Sequence, residues 1–191
     1  MLKALKDNLS LVAILVVLSG TSSTEAYYSS FGLKYQLLNL PASHILYRGL
    51  TAALTYVPLA ALYILVLALM VSQSRLALLF GGPDRVRFVN HALIVALVIG
   101  GWFGGRQVGL QEAVKDSSTS KTTLPLVKSL TAHEQGVSVE VASPAEGYHV
   151  VLQTGAGLYL IQTVNNAETE KPLVRFISSG SIESATICAS C

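Results

Sequence analysis

Apolar positions along the chain fall into three blocks and then change their pattern. Leu9 to Leu18 is almost wholly apolar, Gly49 to Ser74 carries no charge, and Phe88 to Phe103 interrupts its apolar run only at Asn90 and His91. As a helix rising about 1.5 Å per residue, the second block exceeds the roughly 30 Å hydrocarbon core of a bilayer. The blocks predict three transmembrane helices, over residues 8–28, 49–73 and 88–105. Lys3 and Lys6 before the first block and the small residues Ser19 to Thr24 after it also fit a cleaved signal peptide. Against cleavage stand the poor small-residue pair at Thr24 and Ala26 and the aromatic cluster Tyr27, Tyr28 and Phe31, which suits a membrane interface. Retention is therefore the reading taken, with cleavage as the alternative.

Between the first two blocks, residues 31–48 mix leucines with Lys34, Gln36, Asn39, His44 and Arg48, a composition expected of a segment lying at the interface. Pro41 suits an early helical turn, because its missing N–H is an orphan there anyway, so a second helix is expected to begin near it. Pro58 should kink that helix, with the Thr51 and Thr55 hydroxyls compensating for the freed Leu54 carbonyl. Gly81-Gly82-Pro83-Asp84 marks a turn before the third block.

After Arg106 the polar stretch 107–123 reads as a linker carrying a frayed continuation of the third helix. Beyond it come short runs rich in Val, Ile, Tyr and Phe: Gly136 to Ala142, Tyr148 to Thr154, Leu158 to Val164, Leu173 to Ser178 and Ser181 to Cys188. Turn residues separate them, so residues 124–191 are expected to form a small antiparallel β-domain, a sheet or open barrel. Gly155-Ala156-Gly157 is the sharpest hairpin signal, glycine permitting the positive φ that tight hairpins use.

Composition agrees with a membrane domain over residues 1–106: of the 191 residues, 51% are hydrophobic and 13% charged, where soluble proteins average about 25% charged. Charge sets the orientation. Lys3, Lys6, Arg75, Arg85 and Arg87 lie near span ends on one side, against Lys34, Arg48 and Arg106 on the other. Lysine and arginine excess marks the untranslocated side, so the N-terminus is expected in the cytoplasm and the β-domain outside. Small size and the lack of organelle signals point to a bacterial inner membrane, with the β-domain periplasmic. A net charge of +2 with no basic run makes nucleic acid an improbable partner.

Candidate chemistry is sparse. Gly100, Gly101, Gly104 and Gly105 form two overlapping pairs four residues apart, a spacing that lets helices approach closely, either within the chain or in self-association. Their place at the outer membrane surface also suits a flexible neck, with Trp102 in the aromatic belt. His44 and Arg48 share a helix face near Lys34 and Glu25 and are the candidate partner contact. Glu25 and His91 are the ionisable groups in or beside spans, both near enough to an interface for solvation. Cys188 and Cys191 have C-x-x-C spacing but end the chain, without the following helix that activates a redox thiolate, so a disulfide is expected and catalysis is not. His133-Glu134 opens an H-E-x-x-H pattern that Val137 interrupts. No catalytic, cofactor or metal site is expected.

Elimination leaves a non-catalytic binding protein of the inner membrane. Its most concrete form is an immunity protein, neutralising a secreted toxin that attacks the membrane from the periplasmic side. The alternative is a sensor or accessory subunit of a membrane complex.

Overall fold

The structure, a computed structural model, describes residues 2–58, 60–61, 63–64, 83–118, 121–134, 137–142, 147–165 and 172–188. Contacts divide the chain into two compact units, Met1–Tyr27 with Lys34–Leu110, and Tyr28–Leu33 with Gln111–Cys191.

The first unit is helical. Helix α1 runs over Leu2–Ser30, α2 over Ala42–Thr55 and α3 over Pro83–Ser117. A glycine ends α1: Gly32 adopts φ 74°, its N–H bonds the Ser29 carbonyl at 2.9 Å, and the Leu33 N–H reaches back to Tyr28 at 3.0 Å. This pair of bonds satisfies carbonyls left orphaned by the helix end. Residues 35–37 form one 3-10 turn, and Asn39 takes a left-handed φ of 48°, which its short side chain tolerates. Pro41 then caps α2 from outside, with an extended ψ of 148°.

The proline at position 58 breaks the second helix rather than kinking it. α2 stops at Thr55, Tyr56 is extended at φ −92° and ψ 93°, and helical backbone resumes at Val57. The threonines do not rescue Leu54. Thr51 Oγ1 donates to Tyr47 O at 3.0 Å and Thr55 Oγ1 to Thr51 O at 2.7 Å, so both hydroxyls are spent on carbonyls one turn behind them. With its i−4 carbonyl crowded by the proline ring, the chain leaves helical geometry. Residues 65–82, which hold the remainder of the second expected span, Arg75 and the Gly81-Gly82 pair, lie outside the described residues.

Among the described residues, one helix, over His91–Ser117, is long and apolar enough to cross a membrane. That falls short of the three expected spans. In α1 the apolar run gives way after Leu18 to Ser19, Thr21, Ser22, Ser23, Thr24 and Glu25. Within the expected linker over 107–123 the third helix does continue, as regular and not frayed helix, to Ser117.

The second unit is built on six antiparallel strands, β1 (Leu126–Glu134), β2 (Val137–Ala142), β3 (Tyr148–Thr154), β4 (Gly157–Gln162), β5 (Leu173–Ser178) and β6 (Ile182–Cys188). The strand order is β2-β1-β3-β4-β5, with β6 on β1. Five of the strands match the expected runs, and β1 was missed. Its buried residues are Val127, Leu130 and Ala132, a step of three followed by a step of two. Register shifts against β6 between Val127 and Ser129, and against β2 between Leu130 and Thr131, break the alternation that announces a strand.

β3 and β4 form the expected hairpin over a two-residue turn, but not by the expected means. Positive φ is absent at Gly155 and Ala156. Thr154 Oγ1 instead accepts the Ala156 and Gly157 N–H groups, each at 3.3 Å. Gly157 is the glycine the hairpin requires, since a Cβ there would collide with the Ile177 carbonyl on β5. Val127, Leu130, Ala142, Tyr148, Val150, Leu158, Leu160 and Ile177 make the sheet's core. The end of α3, from Gln111 on, belongs to this unit. Ser117 O accepts the Val164 N–H at 2.9 Å, and the buried Asp116 carboxylate accepts the Thr123 N–H at 3.3 Å and hydroxyl at 3.1 Å.

Candidate functional site

In the helical unit the buried positions include the small residues Ser19, Ser22, Ser23, Thr24 and Ala52 together with Leu15, Val16, Tyr27, Leu97 and Val108, whereas Ile14, Leu50, Leu54, Val57, Ile99 and Phe103 are exposed. Small residues at helix contacts, with large apolar side chains also facing outward, are an arrangement favoured when the surroundings are as apolar as leucine.

α1 touches both α2 and α3. On one side Gly20 meets the Ile45 carbonyl and the Gly49 N–H of α2, and Gly49 meets the Val16 carbonyl. The numbers run in opposite directions, so α1 and α2 are antiparallel. On the other side Gly105 abuts the Ser19 carbonyl and Gly109 the Ser23 carbonyl, so α1 and α3 run parallel. An added Cβ at any of these four glycines would strike backbone, which cannot swing away as a side chain can. The buried hydroxyls find partners close by. Ser19 Oγ donates to Leu15 O at 2.8 Å, Thr24 Oγ1 to Gly20 O at 2.7 Å, and Ser22 Oγ crosses to Trp102 O on α3 at 2.6 Å. The Ser23 hydroxyl has none among the described residues.

Of the four glycines singled out from sequence, Gly101 and Gly105 face α1 or its neighbours. A Cβ on Gly101 would come within 3.2 Å of the Tyr63 hydroxyl. Gly104 is buried and Gly100 half-buried. Sequence reading missed Gly109, Gly20 and Gly49. Gly109 was legible as the next step of four after Gly101 and Gly105. Gly20 and Gly49 carry no such spacing, since each is the single glycine that its helix brings to the α1–α2 contact. The flexible neck is also corrected: these glycines sit inside a continuous helix and seat it against α1.

His44 and Arg48 lie one turn apart on α2, as expected. The Arg48 guanidinium stands 4.1 Å from the centroid of the buried Tyr27 ring on α1. Helical side chains lean toward their own N-terminus, so residues on antiparallel helices lean toward each other and can meet although their backbones lie at different heights. A cation over an aromatic face is stabilised by about 0.5–2 kcal/mol. Burial, and secondarily the Arg48 charge, hold His44 below its ordinary value of 6.5. The neutral imidazole is thus the form favoured in the folded bundle. The sign follows: this stability is complete above pH 6.5 and is lost as the pH falls toward the depressed folded value, where only the unfolded chain gains the proton. Melting in mild detergent at pH 7.5 and 5.5 should show a lower midpoint at the acid value, and His44→Gln should reduce that difference.

Glu25 is half-buried and His91 exposed. His133 lies on strand β1 with its Nδ1 4.0 Å from Glu183 Oε2, both side chains exposed, so the H-E pair occupies no metal-binding helix. Cys188, at the end of β6, is disulfide-bonded, and the chain has one other cysteine, Cys191, which lies outside the described residues. Comparison with family models, with curated proteins and with solved structures finds no match to this chain.

Proposed function

We propose that the chain is a non-catalytic, multi-pass protein of a bacterial inner membrane, with three spanning helices, a cytoplasmic N-terminus and a periplasmic β-domain. It works by binding a protein partner, most concretely as an immunity protein against a toxin that attacks the membrane from the periplasmic side. The observation that carries the membrane part is the outward exposure of Ile14, Leu54, Ile99 and Phe103 on helices that touch one another through serines and glycines. That α2 runs antiparallel to α1, and α3 parallel to it, supports alternate crossings of the bilayer. An ordered β-domain in the same chain as such a bundle supports binding, because anchoring concentrates a binding module in the plane of its target.

An accessory subunit of a membrane complex is the second reading. Leu173 and Phe176, 58% and 48% exposed, support it, for they put large apolar side chains on strand β5 at the end of the sheet path. Such a surface suits a permanent neighbour.

Alkaline phosphatase fused at Asn165 should be active and fused at Asp84 inactive; the reverse pattern would overturn the orientation. Cells producing a periplasmic toxin encoded beside this gene should survive with the full chain and die with a version ending at Ser118, which keeps the helices. Survival with that version would move recognition into the membrane domain. Failure of the full chain, with a larger complex copurifying in fixed ratio, would favour the accessory subunit.

A further inference from the structure

The contacts between helices give a common height scale, and on it the exposed faces of α1, α2 and α3 turn from apolar to polar at one level, with Leu37 before α2 and Val114 near the end of α3 as exposed apolar residues beyond it. Gly20 of α1 stands beside Ile45 and Gly49 of α2, and Ser19 stands beside Gly105 of α3. On α1 the exposed apolar residues Ile14 and Val17 are followed by Thr21 and Glu25; on α3 the exposed Ile99 and Phe103 are followed by Arg106 and Gln107, also exposed. On α2, running the other way, the exposed Leu50, Tyr47 and Leu46 are followed by the exposed Ser43. Each change falls within about one helical turn, or 5.4 Å, of the Gly20 and Gly105 contacts.

We propose that the outer boundary of the hydrocarbon layer passes through Gly20, Leu46 and Gly105, so that Arg106 lies at the level of the lipid phosphates and Thr21 to Tyr27 stand above them. The first span then runs from the start of α1 at Leu2 to Gly20, about 27 Å of helix, instead of over residues 8–28. The inference rests on the membrane reading above. Below the boundary, the helical rise from Arg87 to Arg106 is about 28 Å, close to the roughly 30 Å hydrocarbon thickness. An arginine at each end of that length sets α3 in register with the two headgroup layers. Above the boundary, Glu25, Gln107 and the start of α2 at His44 form a polar collar at the membrane surface, within reach of a partner arriving from outside.

The position of the boundary is measured by water accessibility. Single cysteines replacing Val17, Glu25, Phe103, Gln107 or Lys34, in a chain carrying Cys188→Ser and Cys191→Ser, are reconstituted into phosphatidylcholine vesicles. They are treated with a charged maleimide after permeabilising the vesicles to the reagent. Labelling is expected at Glu25→Cys, Gln107→Cys and Lys34→Cys and lost at Val17→Cys and Phe103→Cys. Labelling of Lys34→Cys alone would overturn the proposal and return the boundary to the aromatic cluster. Labelling of all five, from a chain that stays in the aqueous phase when the vesicles are pelleted, would instead overturn the membrane reading itself.

Discussion

Gly105→Ile together with Gly109→Ile should unseat α3 from α1. At each position the first added atom collides with a backbone carbonyl of α1, that of Ser19 or of Ser23, so no rotamer relieves it. Overpacking costs about 1–3 kcal/mol where side chains can shift, and two such sites on one helix face should exceed the upper end. The Ser22 to Trp102 hydrogen bond lies on the same interface and should be lost with it. The expected result is a large fall in melting temperature in mild detergent, or failure to accumulate in the membrane. Phe103→Ala, on the exposed face of the same helix, should melt close to the parent. If the double variant also melts like the parent, the α1–α3 contact is not what holds the bundle.

In the sheet, Leu160→Ala should have the next largest effect. Leu160 is 0% exposed and lies on β4, which pairs with both β3 and β5. Removing its side chain costs the transfer energy and leaves a cavity, together about 2–5 kcal/mol. A domain of this size has a total stability of roughly 5–10 kcal/mol, so a large part of it goes at once. Protease digestion should then release the second unit from a chain whose helices remain intact. Phe176→Ala, half exposed and 4.8 Å from the Tyr159 ring, should cost far less. A Leu160→Ala chain as protease-resistant as the parent would mean the sheet's core lies elsewhere.

Five of the six strands were legible because residues such as Val150, Leu158 and Leu160 sit in short β-rich runs bounded by turn residues. The sixth was not, because bulges at Val127 and Leu130 put its buried residues out of alternation while Lys128 and His133 made it look like loop. Pro58 announced a disturbance whose size depended on where the Thr51 and Thr55 hydroxyls turned. The third span was read as ending at residue 105 because the composition turns polar after Arg106, with only a frayed continuation of its helix beyond, whereas α3 runs regularly to Ser117.

The sequence by itself determined a helical, apolar first part and a strand-rich second part, because hydrophobic runs and turn residues act through the local chain. Only the tertiary structure decided which glycines matter: Gly101, Gly105 and Gly109 share a spacing, but Gly20 and Gly49 became contacts through the crossing of α1 and α2. The same holds for Arg48 and Tyr27, 21 positions apart in sequence and stacked in space. Which backbone touches which depends on helix rotation and register, and these are set by the fit of all three helices together, a property no single segment carries.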